Sequence, residues 1–261
     1  DYKVTGVQTC ALPIYQASQK VLTTDRTEGD QVEILSGVYE GKTLGTPIAC
    51  VVKNTNQRSQ DYNEIKNQPR IGHADDVWKA KFGHVDHRGG GRASARETVA
   101  RVIAGTVAQM YLQQKLPHIH MASFISQLGP YEMSQAEREA WSRVWQQPYA
   151  VDDYVARFPI FDQQKTTQLL LDAKAQGESY GGLIETWISG VPVGFGEPVF
   201  DKLKSLLAYG MMSVGATCSF EIGEGKNLLS KPGSSVHQEA SSLNYGGIRG
   251  GISTGDIIVF K

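Results

Sequence analysis

Between Arg70 and Arg101 the sequence gathers seven Lys or Arg residues against four Asp or Glu, with His73, His84 and His87 interspersed. The whole chain carries a formal net charge of only -1, so this stretch reads as a candidate local anion site rather than part of a general basic surface. The triplet Gly89, Gly90 and Gly91 lets the backbone approach a ligand closely, and a helix beginning near Arg92 would offer unpaired N–H groups and the positive end of its dipole. A phosphate or carboxylate would be stabilised there. Arg88, Arg92 and Arg96 add planar donor forks, and Arg92 and Arg96, four apart, share a helix face. The plainer alternative is a solvated basic helix face; the adjoining glycines favour anion binding.

His73 lies in RIGHAD, beside Gly72 and close to Asp75, in a loop rather than on an apolar face. An imidazole can give or take a proton near neutrality, or hydrogen-bond a reduced cofactor, where Lys or Asp would need a large pKa shift. A purely structural histidine is the competing reading. His84, Asp86 and His87 supply too few ligands for a metal centre, and no metal is expected.

The elements that must position these groups are legible in outline. Gln31 to Thr55 alternates apolar and other residues around Glu40-Gly41-Lys42, which predicts a β-hairpin with Val32, Ile34, Ile48, Cys50 and Val52 inward. Asn54 to Gly91 is a long polar loop of the kind that carries function. Ala95, Val99, Val102, Ile103, Val107, Met110 and Tyr111 recur at helical spacing until Pro117, and Ala100, Ala104, Gly105 and Ala108 predict a helix buried on several sides. Trp141 and Trp145 read as packing residues of a helix. Leu169 to Leu171 belong to a short helix stopped by Gly177, and Gly182 to Ser189 is a strand. GVPVGFGEPVF then repeats the pattern of glycine-rich loop and helix, with Pro198 at the first helical position and Val199, Leu203, Leu206 and Leu207 on an apolar face. A third glycine cluster, NYGGIRGGISTG, leads into the last strand.

Composition bounds the class. At 261 residues and 40% hydrophobic content the chain can bury a substantial core, and one α+β domain over 15–261 is expected. Residues 1–14 show no periodicity and read as a foreign leader. Cys10, Cys50 and Cys218 form no CxxC pair, which fits a reducing, cytoplasmic setting. No apolar run approaches the roughly 20 residues of a membrane span. The near-neutral charge and the lack of aromatics in Asp86 to Arg101 argue against nucleic acid.

Seven stretches, in order, resemble those of the chorismate synthase family: GKTLGTPIA (41–49), NTNQRSQDY (54–62), RIGHAD (70–75), DHRGGGRASARET (86–98), GVPVGFGEPVFDKL (190–203), MSVGA with FEIG (212–223) and GGIRGGISTG (246–255). The resemblance implies a β-α-β sandwich with helices between antiparallel sheets, assembled as a homotetramer. It implies a lyase that converts 5-enolpyruvylshikimate 3-phosphate to chorismate and phosphate by anti-1,4-elimination, with reduced FMN required and NADPH as a candidate reductant. By the same resemblance His73 is the active-site histidine beside the flavin. Arg70, Ser94 and Arg96 contact the substrate; Arg92, Ala93, Ser94, Gly215, Ala216 and Gly250 bind the flavin. Ile71 and Ala93 stand where the family usually has proline and serine. The family's GESHG segment, with a second histidine, and its KP-type and RHDPC segments have no match here, so a flavin- or phosphate-binding fragment without turnover is the alternative expectation.

Overall fold

The computed structural model describes residues 31–54, 68, 72–87, 94–146, 163–238 and 242–261. These fall into two compact units, one within 31–111 and one within 112–261.

In the first unit, β1 (Val32–Ile34) pairs antiparallel with β4 (Cys50–Val52), and β2 (Val38–Tyr39) pairs with β3 (Lys42–Thr43) inside it. The two-residue turn between β2 and β3 puts Glu40 and Gly41 at φ 48 and 75, the left-handed pair that matches strand twist in a tight hairpin. Val32 is buried, with Ile34, Cys50 and Val52 packed around it, as the alternation predicts; Ile48 lies half-buried against Gly37. Helix α1 (Asp75–Phe82) buries none of its residues and ends at Gly83, whose left-handed conformation lets its N–H donate to Lys79 O. A 3-10 turn (Ala95–Glu97) opens α2 (Thr98–Lys115), and Val102, Ile103, Val107 and Met110 pack onto the hairpin core. The expectation of burial on several sides is not met. Ala100, Ala104, Gly105 and Ala108 are exposed, because the hairpin covers only the stripe of larger residues.

The second unit is built on a four-stranded antiparallel sheet, ordered β10-β7-β5-β6. Its strands are β5 (His120–Leu128), β6 (Tyr131–Glu132), β7 (Gly182–Ser189) and β10 (Ile258–Phe260). A bulge at Ser126 interrupts the β5–β7 register, and the Ser126 hydroxyl donates to Leu183 O at 3.3 Å. Ala122 and Phe124 of β5 face the core beside Trp187 of β7, where Trp141 and Trp145 meet them. Phe124 lies 4.7 Å from Trp141 with the rings tilted, and Trp145 meets Trp187 edge-on at 5.7 Å. Burying Phe124 alone is worth roughly 1.5–3 kcal/mol. Both tryptophans are thus packing residues, carried by α3 (Gln135–Val144) and its C-cap. Ser134 and Glu137 close a capping box at the start of α3.

Helix α4 (Gln163–Gln176) ends where predicted, at Gly177 with φ +71. The following segment departs from expectation. Pro198 does not open a helix: the Glu197 N–H donates to Asp201 O and closes a loop over 197–201, so α5 starts only at Leu203 and runs to Met212. Val199 is consequently 66% exposed, whereas Leu203 and Leu207 join a core with Val191, Ile248, Ile258 and Phe260. Two short helices, α6 (Gly233–Gln238) and α7 (Ser242–Tyr245), precede the hairpin of β8 (Ile248–Arg249) and β9 (Ile252–Ser253). Every described strand pair is antiparallel and helices cover a face of the main sheet, so the α+β expectation holds.

Candidate functional site

In the first unit, His73 stands in the turn before α1. Gly72, at φ +76, reverses the chain there, and Asp75 begins the helix two residues on. His73 Nδ1 lies 2.9 Å from Asp75 Oδ1, with both side chains more than three-quarters buried. At that distance the Asp75 carboxylate is a close electrostatic partner for the ring. Ser94 caps the 3-10 turn: its hydroxyl accepts from the Arg96 N–H at 3.2 Å and its carbonyl from Glu97 N–H. The next turn is tied by an Arg101–Glu97 ion pair at 2.9 Å. Ser94 is therefore committed to starting the 3-10 turn that carries Arg96, a half-buried residue. Arg70, Arg92, Ala93 and the triplet Gly89 to Gly91 lie outside the described residues, as does Arg88.

In the second unit, Gly215 and Ala216 form the turn after α5. Ala216 takes the left-handed conformation at φ +64, uncommon for a residue with a Cβ, and its carbonyl receives the Cys218 thiol at 3.5 Å. Gly250 and Gly251, at φ +62 and +93, make the two-residue turn of the β8–β9 hairpin. A Cβ at Gly215 or Gly250 would meet nothing within 4 Å, whereas one at Gly251 would run into the Lys202 side chain. The backbone at 215 and 250 thus borders open space, and that at 251 is packed.

Ser253 stands outside the residues that spacing singled out. It is 2% exposed, and its hydroxyl donates to Pro192 O at 2.6 Å and accepts from the Phe195 N–H at 2.8 Å. A serine in a strand carries no sequence signal for such a double bond; only the second glycine loop's proximity reveals it. Burial pushes the Cys50 thiol up from its ordinary value, while Cys218 is exposed. Among the described residues no three His, Cys, Asp or Glu side chains gather as a metal site would require. Nor does a helix among them have the length and apolarity to cross a membrane.

An antiparallel α+β chain with open glycine turns is of a class suited to the close approach of a small ligand. Comparison with known proteins narrows it. A family model described as chorismate synthase matches residues 11–261, opening inside the stretch 1–14 set aside as a leader. A protein named chorismate synthase from Bdellovibrio bacteriovorus is 49% identical over 240 residues, covering 92% of this chain and 69% of its own. One of the same name from Azobacteroides pseudotrichonymphae is 42% identical over 254 residues, covering 93% and 70%. A crystal structure of chorismate synthase superposes with a TM-score of 0.71 at 31% identity, over 88% of this chain and 69% of that one. The chain belongs to the chorismate synthase family of lyases and has its fold type.

Proposed function

We propose that this chain eliminates phosphate from 5-enolpyruvylshikimate 3-phosphate in an anti-1,4 sense, yielding chorismate for aromatic amino-acid biosynthesis, with reduced FMN bound. The observation that carries the reading is the 49% identity to a chorismate synthase across 92% of the chain. The residues present fit a flavin. Gly215 and Gly250 leave space where a Cβ would stand, so backbone at these turns can lie close to a flat ring, with Ala216 beside Gly215. Arg92, Ala93 and Ser94 complete the proposed flavin set. What reduced flavin supplies when bound is electron density that eases loss of phosphate, the overall reaction remaining redox-neutral.

The chain's own side chains bind and handle protons. Arg96, with Arg70, provides guanidinium forks for phosphate and carboxylate oxygens of the substrate, and Ser94 fixes the turn from which Arg96 projects. His73, beside Asp75, is the side chain proposed to stand against the flavin and to help hold its reduced form. NADPH is the proposed source of reducing equivalents, and a homotetramer in the cytoplasm the proposed working state, readable by light scattering on the purified chain.

The test is an anaerobic titration with reduced FMN, with and without substrate, followed by flavin absorbance, on wild type and Arg96→Ala. The reading expects a substrate-dependent spectral change that Arg96→Ala weakens. A folded chain that leaves the flavin spectrum unchanged under all conditions contradicts it. Binding without release of phosphate would instead mark a flavin-binding chain that does not turn over.

A further inference from the structure

Ser253 joins two glycine clusters that the sequence keeps some 50 residues apart. Four hydrogen bonds connect it to the loop over 192–196. The hydroxyl makes two, to Pro192 O and from Phe195 N–H; the backbone makes two more, from Ser253 N–H to Phe195 O at 2.9 Å and from Gly194 N–H to Ser253 O at 3.2 Å. The hydroxyl therefore uses its proton and a lone pair at once, in a position from which water is excluded. The turn just ahead of it is held by the start of α5 and lies against Gly196 of the same loop. Leu203 N–H donates to Gly251 O at 2.7 Å, and a Cβ at Gly196 would sit on that carbonyl oxygen. The loop and the hairpin fit backbone to backbone, and Gly194 in the loop and Gly250 in the hairpin turn are the glycines of this assembly at which an added Cβ would meet open space.

We infer that Ser253 is a positioning residue: by holding the loop over 192–196 onto the β8–β9 hairpin, its hydroxyl fixes the Gly250–Gly251 turn in the conformation that a flavin would approach. The inference rests on the flavin reading for its consequence, but the geometry of the turn is its own observable. Alanine at 253 keeps the strand and both backbone bonds. It leaves the Phe195 N–H and the Pro192 carbonyl without their buried partner, so the loop can lift and the turn can relax.

The experiment compares wild type, Ser253→Ala and Ser126→Ala by amide hydrogen exchange, FMN titration and thermal unfolding. Ser126 is equally buried and its hydroxyl also donates to a carbonyl, but within the β5–β7 ladder. In Ser253→Ala the amides of Gly194, Phe195 and Leu203, which close the loop and the start of α5 onto the hairpin, should exchange on the order of ten-fold faster, with the β5–β7 ladder still protected, and FMN should bind on the order of ten-fold more weakly. Ser126→Ala should lower the unfolding temperature without either change. Ser253→Cys, which keeps a weak donor and acceptor, should fall between. Unchanged exchange of the Leu203 amide, whose bond to Gly251 O reports on the turn, in a folded Ser253→Ala protein overturns the inference, as does equal loss of FMN affinity in Ser126→Ala. A loosened turn with unaltered FMN affinity breaks the link from Ser253 to the flavin. A loosened turn in a protein whose wild type never binds FMN upholds the positioning role and rejects the flavin reading instead.

Discussion

Alanine substituted at Gly196 and at Gly250 should separate glycines needed for folding from those needed for a ligand. Gly196 has φ +106, and an added Cβ would lie on Gly251 O and 2.7 Å from Leu203 N, the two ends of one hydrogen bond. Neither atom is the tip of a flexible side chain. The substitution must strain the backbone and displace that bond, which together cost on the order of 3 kcal/mol. Gly250 has φ +62, a left-handed conformation that alanine can adopt, and nothing stands within 4 Å of its added Cβ. The penalty of a Cβ in that region, partly offset by the smaller entropy of the unfolded chain, is about 1 kcal/mol. Urea denaturation of the two variants measures these costs, and FMN titration measures the ligand. Gly196→Ala should be strongly destabilised. Gly250→Ala should remain folded and yet lose FMN affinity by on the order of a hundred-fold, since the Cβ would occupy space assigned to the ring. A Gly250→Ala protein that binds FMN like wild type refutes the placement of the flavin against this turn, and equal stability of the two variants refutes the packing argument.

Further outcomes are expected elsewhere in the fold. Glu185 is fully buried, and its Oε1 accepts from both Arg138 and the Trp187 indole N–H. Arg138→Met should therefore cost about 3–5 kcal/mol in urea denaturation, because a buried carboxylate loses its cation, and adding Glu185→Gln should recover most of it. Exposed Cys218 should be alkylated before Cys50 at about pH 8, read by peptide mass spectrometry. Since burial raises the Cys50 thiol, the folded chain keeps that proton to higher pH than the unfolded one. Stability should be unaffected by this group below the unfolded value and should fall as the pH rises through it toward the raised folded one, a decline that Cys50→Ala removes. His73→Ala should keep the far-ultraviolet spectrum of the wild type while lowering turnover by about a hundred-fold or more, because His73 lies in the turn before α1, a helix that buries none of its residues.

How much of this was legible in the sequence depended on the range of the interaction involved. The hairpin around Glu40-Gly41, the strand Gly182–Ser189 and the helix stop at Gly177 follow from local alternation and turn chemistry, and all three stand where the residues place them. Trp141 and Trp145 were readable as packing residues because helical spacing puts them on one face. Pro198 misled for the opposite reason. Its preference for a first helical turn is local, but the start of α5 is set by Gly251, which takes the Leu203 N–H from about fifty residues away. The small-residue face of α2 likewise shows that residue size permits close packing without supplying a partner. At the candidate site, His73 and Ser94 belong to short motifs and could be found by reading, whereas Ser94's role as a cap came only with the structure. Ser253 and the Glu185–Arg138 pair could not, since their roles arise only when separate strands, loops and helices come together.

The central claim is tested most directly by adding 5-enolpyruvylshikimate 3-phosphate to the full chain under anaerobic conditions with FMN held reduced by dithionite, and following chorismate by its absorbance together with free phosphate. The account predicts that chorismate and phosphate appear in equal amounts, that neither forms with oxidised FMN, and that His73→Ala slows both together. A folded, FMN-binding chain that releases neither product would contradict it.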